Sequence, residues 1–192
     1  MSGYAFSSLD EVGEGFGFRK VRRALGVTAF GVNAIVYPPG YVGFRHWHDK
    51  QDELYFVHRG RARVEVGDEV RELGDGPGFR KVRRALGVTA FGVNGIVFAP
   101  GFEGFLHYHD TQDELYFVHR GRARVEVGGE VRELGPGGLL HVEATTPRKV
   151  SNASEEEDLV LLVVGGKDGY VERDGRLVDM ERDLPRRQAF GS

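Results

Sequence analysis

Residues Gly17 to Gly74 recur without a gap as Gly78 to Gly135, an offset of 61. Nine of the 58 aligned positions differ, and eight of those lie between Ala34 and Lys50. They are Ala34/Gly95, Tyr37/Phe98, Pro38/Ala99, Tyr41/Phe102, Val42/Glu103, Arg45/Leu106, Trp47/Tyr108 and Lys50/Thr111, with Asp68/Gly129 as the ninth. A repeat this literal constrains folding strongly, because both copies carry the same local preferences and ask for the same partners. The residues after each copy are not duplicated. The first copy runs into "DGPGFRKV" and begins again, whereas the second continues into "GPGGLLHVEATTPRKVSNASEEEDLVLLVVGG". Four segments result: an N-terminal arm (1–14), a first copy without its second half (15–77), a complete unit (78–165) and a tail (166–192). The tail is rich in charge and is expected to be peripheral or partly disordered.

Within each copy the pattern is that of strands. In "RARVEVGDEVREL", Ala62, Val64 and Val66 alternate with Arg61, Arg63 and Glu65, the period of a half-buried strand. The "GD" and "GG" dipeptides then turn the chain into a hairpin. "ELYFVH" and "DLVLLVVGG" are apolar on both faces and suit buried strands, and "GVNAIVYPPG" reads as a strand stopped by prolines. Short strands, glycine-rich turns and no amphipathic helix predict an all-β, antiparallel sandwich or barrel.

The chemistry gathers where the copies differ most. "GFRHWHDKQDELYFVHRG" and "GFLHYHDTQDELYFVHRG" each hold two histidines one residue apart and a glutamate five residues later. Residues i and i+2 of a strand share a side. His107 and His109 therefore project together, as do His46 and His48, and a turn through the next four residues returns Glu114 or Glu53 beside them. Two imidazoles and a carboxylate form a facial set suited to Fe(II), and equally open to Mn, Ni, Co or Zn. Such a set leaves coordination positions free, as a catalytic metal requires. The plainer alternative is a polar barrel mouth that happens to contain histidine. Against it, four of the chain's seven histidines sit in these two pairs.

"GFEGFLHYHDTQDELYFVHRG", Gly101 to Gly121, resembles the first motif of the cupin superfamily: glycine, five residues, His-x-His, four residues, glutamate, six residues, glycine. Gly40 to Gly60 matches it equally. The second cupin motif is met by Pro136, Gly138 and Asn152, but its histidine position holds Arg148. The resemblance implies a small antiparallel jelly-roll barrel, often dimeric, with a duplicated partial half-barrel on its N-terminal side. It also implies that His107, His109 and Glu114 are metal ligands and that a fourth is missing. A guanidinium offers only donors and cannot ligate a metal. Arg148 is expected either at the rim, receiving a substrate carboxylate or phosphate, or turned inward onto Glu114 in place of a metal; the rim is the favoured expectation, given the desolvation cost of a buried arginine. His141 is a further candidate if it faces inward, and Tyr108 is expected in the wall of a substrate pocket.

The single second half can complete one barrel per chain. Its nearer claimant is the second copy, since the first would close roughly 60 more residues of loop at about 2 kcal/mol. The first copy, left with open strand edges, is expected to pair with its counterpart in a second chain, making a homodimer or a strand-exchanged one. A net charge of -3 gives no attraction to nucleic acid or to an acidic membrane surface. There is no cysteine, and the first residues do not read as a signal peptide, so a cytoplasmic protein is expected. The functional expectation is a metal-binding barrel acting on a small polar or anionic molecule by oxygenase- or isomerase-like chemistry. The alternative is a non-catalytic ligand-binding or scaffold barrel in which Arg148 replaces the metal.

Overall fold

The computed structural model describes residues 2–66, 69–73, 82–172 and 174–190. In chain order the elements are β1 (Tyr4–Ser8), β2 (Gly17–Arg19), α1 (Val21–Ala24), β3 (Ala34–Val36), β4 (Ala62–Val66), β5 (Glu69–Leu73), α2 (Val82–Leu86), β6 (Gly92–Phe98) and β7 (His107–His109). They continue with β8 (Asp113–Arg120), β9 (Ala123–Val127), β10 (Glu130–Leu134), β11 (Gly138–Val142), β12 (Arg148–Asn152), β13 (Leu159–Gly166), β14 (Gly175–Leu177) and α3 (Met180–Phe190). The chain divides into two compact units, one of residues 1–39 with 79–192 and one of residues 40–78.

The larger unit is an antiparallel jelly roll of two five-stranded sheets, ordered β1-β11-β8-β13-β6 and β10-β9-β12-β7-β14. Alternation along the strands builds the core between them. Tyr116, Val118, Leu140, Val142, Leu161 and Val163 of the first sheet meet Ala123, Val125, Val127 and Val150 of the second. "ELYFVH" is apolar on both faces for a visible reason: β8 lies between β11 and β13. Its second face carries Leu115 and Phe117 in line with Leu139 and Leu162, all buried on the side away from the core.

Two segments do more than the sequence led one to expect. The arm supplies β1, which pairs with β11 from Tyr4↔Val142 to Ser8↔Gly138 and covers an edge of the first sheet. The tail supplies β14, which pairs with β7 through Gly175↔His109 and Leu177↔His107, followed by α3. It is therefore not peripheral between Asp174 and Leu177, and Asp174 and Leu177 are buried. The short strand before the prolines is found as β3, which ends at Val36 and pairs with β2.

Among its described residues the smaller unit has the hairpin β4–β5, with register Ala62↔Leu73 to Val66↔Glu69. Its expected turn at Gly67–Asp68 and the boundary at 77–78 lie outside the described residues. From Gly40 to Arg61 no residue is in a strand, although Glu53–Arg59 is identical to the part of β8 from Glu114 to Arg120. A buried strand has no independent stability; it forms where partners satisfy its backbone on both sides. In the second copy those partners are β11 and β13, and both come from the part of the sequence that occurs once.

Candidate metal centre

β7 and β8 are joined by the turn Asp110–Gln112, and the Asp174 carboxylate caps it. Oδ2 of Asp174 accepts the Thr111 N–H at 3.1 Å and the Gln112 N–H at 2.8 Å. Burial pushes the Asp174 carboxyl up, but these backbone donors and His109 more than reverse that, leaving it below its ordinary value. The capped turn brings Glu114 back under the histidine pair. Among the described residues, His107, His109 and Glu114 form one group whose ligand atoms all lie within 4.8 Å of one another, and His46, His48 and Glu53 form a second.

In the first group both imidazoles turn Nε2 toward Glu114 Oε2, at 3.9 Å from His107 and 3.3 Å from His109. The opposite ring nitrogens are engaged elsewhere. Nδ1 of His107 is 3.0 Å from the Phe105 carbonyl, which only accepts, so in the neutral ring the proton sits on Nδ1 and the lone pair on Nε2. Nδ1 of His109 is 3.4 Å from Asp174 Oδ2. His109 thus stands between two carboxylates. Whichever nitrogen holds the proton of the neutral ring, the other turns a lone pair on a carboxylate oxygen. With both rings neutral and their protons on Nδ1, two imidazole lone pairs and a carboxylate oxygen converge, an arrangement that a divalent cation would accept. The donor set therefore fits a transition metal.

Two more side chains hold Glu114. The Tyr116 hydroxyl donates to Oε2, and Nη2 of Arg148 donates to the same oxygen at 2.7 Å. Burial alone would raise the Glu114 carboxyl, but the two imidazoles and the Arg148 charge outweigh it and hold it well below 4.5. Tyr116 is pushed far up by burial and by the Glu114 charge, so it stays a hydrogen-bond donor.

Arg148 corrects the favoured expectation. It is not at a rim; its residue exposure is 0%. β12 pairs with β7 so that Arg148 lies directly opposite His107, and opposed residues share a face, which turns the guanidinium inward. Its Nη1 donates to the carbonyls of Ala144 at 2.8 Å and Thr146 at 3.0 Å. These bonds and the ion pair offset the desolvation cost that made a buried arginine look unfavourable. His141 is corrected too. It alternates with the core residues Leu140 and Val142 and so faces away from the core, where burial lowers its pKa and the Leu25 backbone lies against it. Tyr108 sits between the histidines on β7 and points to the other side, opposite Arg176. Neither joins the site. Tyr116 could have been found by its i+2 spacing from Glu114; Asp174, 65 residues beyond His109, had no local signal.

The second group repeats the local contacts. Nε2 of His46 and His48 are 3.4 and 3.1 Å from Glu53, Tyr55 donates to Glu53 at 2.7 Å, and His46 Nδ1 is 3.2 Å from the Phe44 carbonyl. The hydrogen bond from Tyr55 is the largest influence on Glu53 and lowers its pKa. All three ligand side chains are at least 40% exposed, against 26% or less in the second copy.

The family model for the cupin domain matches residues 34–80 and again 96–165, together more than half of the chain. This chain belongs to the cupin-domain family. Among curated proteins it is similar to an uncharacterized protein of Streptomyces coelicolor, 43% identical over 54 residues, which are 28% of this cupin and 50% of that protein. Among solved structures it is similar to the DMSP lyase DddQ of Ruegeria pomeroyi (22% identity, TM-score 0.41, 46% of this chain and 43% of that one). It is also similar to a sugar phosphate isomerase of the cupin superfamily from Silicibacter pomeroyi (20% identity, TM-score 0.45, 54% and 76%). The cupin spans about half the length of the curated relative it matches. Among the described residues no helix is long and apolar enough to cross a membrane.

Proposed function

We propose that the second copy is a mononuclear centre for a divalent transition metal (Fe, Mn, Ni, Co or Zn), held by His107, His109 and Glu114, and that it acts on a small polar or anionic molecule. The observation that carries this reading is the convergence of two imidazole Nε2 atoms on one carboxylate oxygen, with His107 Nδ1 on the Phe105 carbonyl and His109 Nδ1 3.4 Å from Asp174. Three protein ligands leave coordination positions free, and a metal with open positions supplies Lewis-acid polarisation or, for Fe or Mn, redox chemistry, as isomerase- or oxygenase-like reactions require. Around that position Arg148 and Tyr116 act through Glu114: they fix its orientation and keep it ionised. His107 is the most exposed of the three ligands, which puts the open side of the group next to it. Titrating metal-stripped protein with Mn(II), Zn(II) or Fe(II) in a calorimeter tests the reading. Tight binding that disappears in a variant with His107→Ala and His109→Ala supports it; heat unaffected by that double change overturns it.

A metal-free ligand-binding barrel is the second reading, and the Arg148–Glu114 pair favours it, since a fixed positive charge already satisfies the carboxylate. A parent protein whose melting point ignores every metal, beside an Arg148→His variant that one of them stabilises, would decide for this reading.

A further inference from the structure

Residues Gly17 to Asn33 and Gly78 to Asn94 are identical, yet from Val21 and Val82 onward the structure uses them differently. In the first, α1 is packed in: Val21, Leu25 and Val27 are 1–3% exposed, and the Leu25 backbone lies against His141 on the outer side of the first sheet. In the second, α2 leads into β6, while Val82 and Val88 are only half-buried and Leu86 is 62% exposed. The two segments nevertheless hold the same shape. The Val27 N–H donates to Arg22 O and the Val88 N–H to Arg83 O, both at 3.0 Å. Arg22 and Arg83 each return a side-chain donor, to the carbonyls of Val27 and Val88. Gly26 and Gly87 both take the left-handed conformation, at φ 65° and 67°. The segments also meet: Phe30 and Phe91, equivalent residues, both lie within 4 Å of the position a Cβ on Gly166 would take.

We propose that α1 and α2 are interchangeable occupants of one seat on the outer face of the first sheet, over His141. In the form described here α1 is seated and α2 displaced; in the other, α2 is seated and α1 released. Identical side chains can make the same contacts in the seat, so the two forms differ in their connections and in the contacts of Arg83 with the Tyr170 ring (3.9 Å) and Glu172 (3.6 Å) beside α2. α2 needs no refolding to take the place of α1, because it already has the bound shape. The exchange begins at Gly166, which both segments approach and where one phenylalanine can replace the other. Nothing in this inference depends on a metal.

The absence of cysteine makes single-cysteine probes clean. In otherwise unchanged protein, Leu86→Cys should react with a maleimide fast and Leu25→Cys slowly. Adding Leu86→Asp, at a position already exposed, removes the competitor, so labelling of Cys at 25 should slow several-fold. Adding Val21→Asp and Val27→Asp to the Leu86→Cys protein unseats α1, and Cys at 86 should then become as protected as Cys at 25 was, in a particle that stays the same size by light scattering. An unchanged rate at 25 when Leu86→Asp is added overturns the exchange, as does a Cys at 86 that stays fast once α1 is unseated. Protection that appears only with dimerisation also overturns it and assigns the seat to a second chain. If the doubly charged variant does not fold, the Leu86→Asp comparison alone still decides.

Discussion

Arg148 is fully buried and its charge is met inside the protein, by Glu114 at 2.7 Å and by two loop carbonyls. The sequence set it at the second motif's histidine position and favoured the rim, because the face it occupies is set only by its pairing opposite His107. The same limit explains Tyr108 and His141: their strands were legible, but which side would be the core was not. His107, His109 and Glu114 were legible because i, i+2 and a short turn are local geometry. Asp174 comes from a distant strand, and its role can be tested directly. Asp174→Asn keeps the shape but weakens the acceptor behind His109, and affinity for Mn(II) or Zn(II) should fall by about 10- to 100-fold, as read by competition with a chromophoric chelator. Arg148→His should act in the opposite direction on affinity, since it removes a fixed positive charge and adds an imidazole beside His107. The ion pair also has a pH signature. The folded protein holds Glu114 below its ordinary value, so the stabilisation is complete above about pH 4.5 and is lost as the pH falls below that. Melting points should therefore drop more steeply between pH 5 and pH 3 (roughly the range of ordinary carboxylates) in the parent than in Glu114→Gln; parallel profiles would refute the assignment.

One stretch of sequence takes two backbone states in this chain, and that is the main lesson at the scale of elements. Glu114–Arg120 is the centre of a five-stranded sheet, whereas Glu53–Arg59 is in no strand. The apolar pattern identified a buried strand correctly; what it could not supply was the pair of neighbours, which exist once. The hairpins β4–β5 and β9–β10, by contrast, form in both copies, because each needs only its own turn and the strand beside it. β1 was missed because five residues of an arm give no periodic signal until β11 is there to receive them. The difference between copies yields a matched experiment. A Cβ on Gly104 would overlap the Val150 carbonyl of β12, while one on Gly43 meets only the edge of Tyr41 at 4.0 Å. Gly104→Ala must displace β12 and should cost about 2 kcal/mol or more, the range of overpacked cores, and Gly43→Ala should leave the denaturation midpoint within about 0.5 kcal/mol of the parent, as exposed substitutions do.

Among the described residues, two three-residue groups could hold a metal, and one of them is enclosed. In the first copy the side chains of His46, His48 and Glu53 stand largely in solvent, so each chain should bind one equivalent of metal tightly and a second far more weakly. A single tight isotherm of two equivalents would contradict this. The first copy also leaves Phe44 86% and Trp47 83% exposed. Single apolar residues in water are ordinary, but neighbouring large ones usually mark a contact surface, and the self-association expected of this copy would be read there. Trp47 is the chain's one tryptophan, so its emission reports on that surface alone. Raising the concentration should shift it to the blue as the mass doubles in sedimentation, and Phe44→Glu should suppress both. The fold class was visible in the sequence because turns and alternation recur throughout; the division of labour between copies was not, since identical residues cannot announce which of them will be enclosed. That division also bears on how the protein is made. A ribosome delivers the first copy early, with its would-be neighbours still untranslated, and it must wait with its apolar residues bare until β11 to β13 emerge. By then the second copy has been threaded out between them and stands closer to the new strands. Order of synthesis thus favours the same claimant as loop length does, and the waiting interval is when nascent chains on one polysome are most prone to cling to each other.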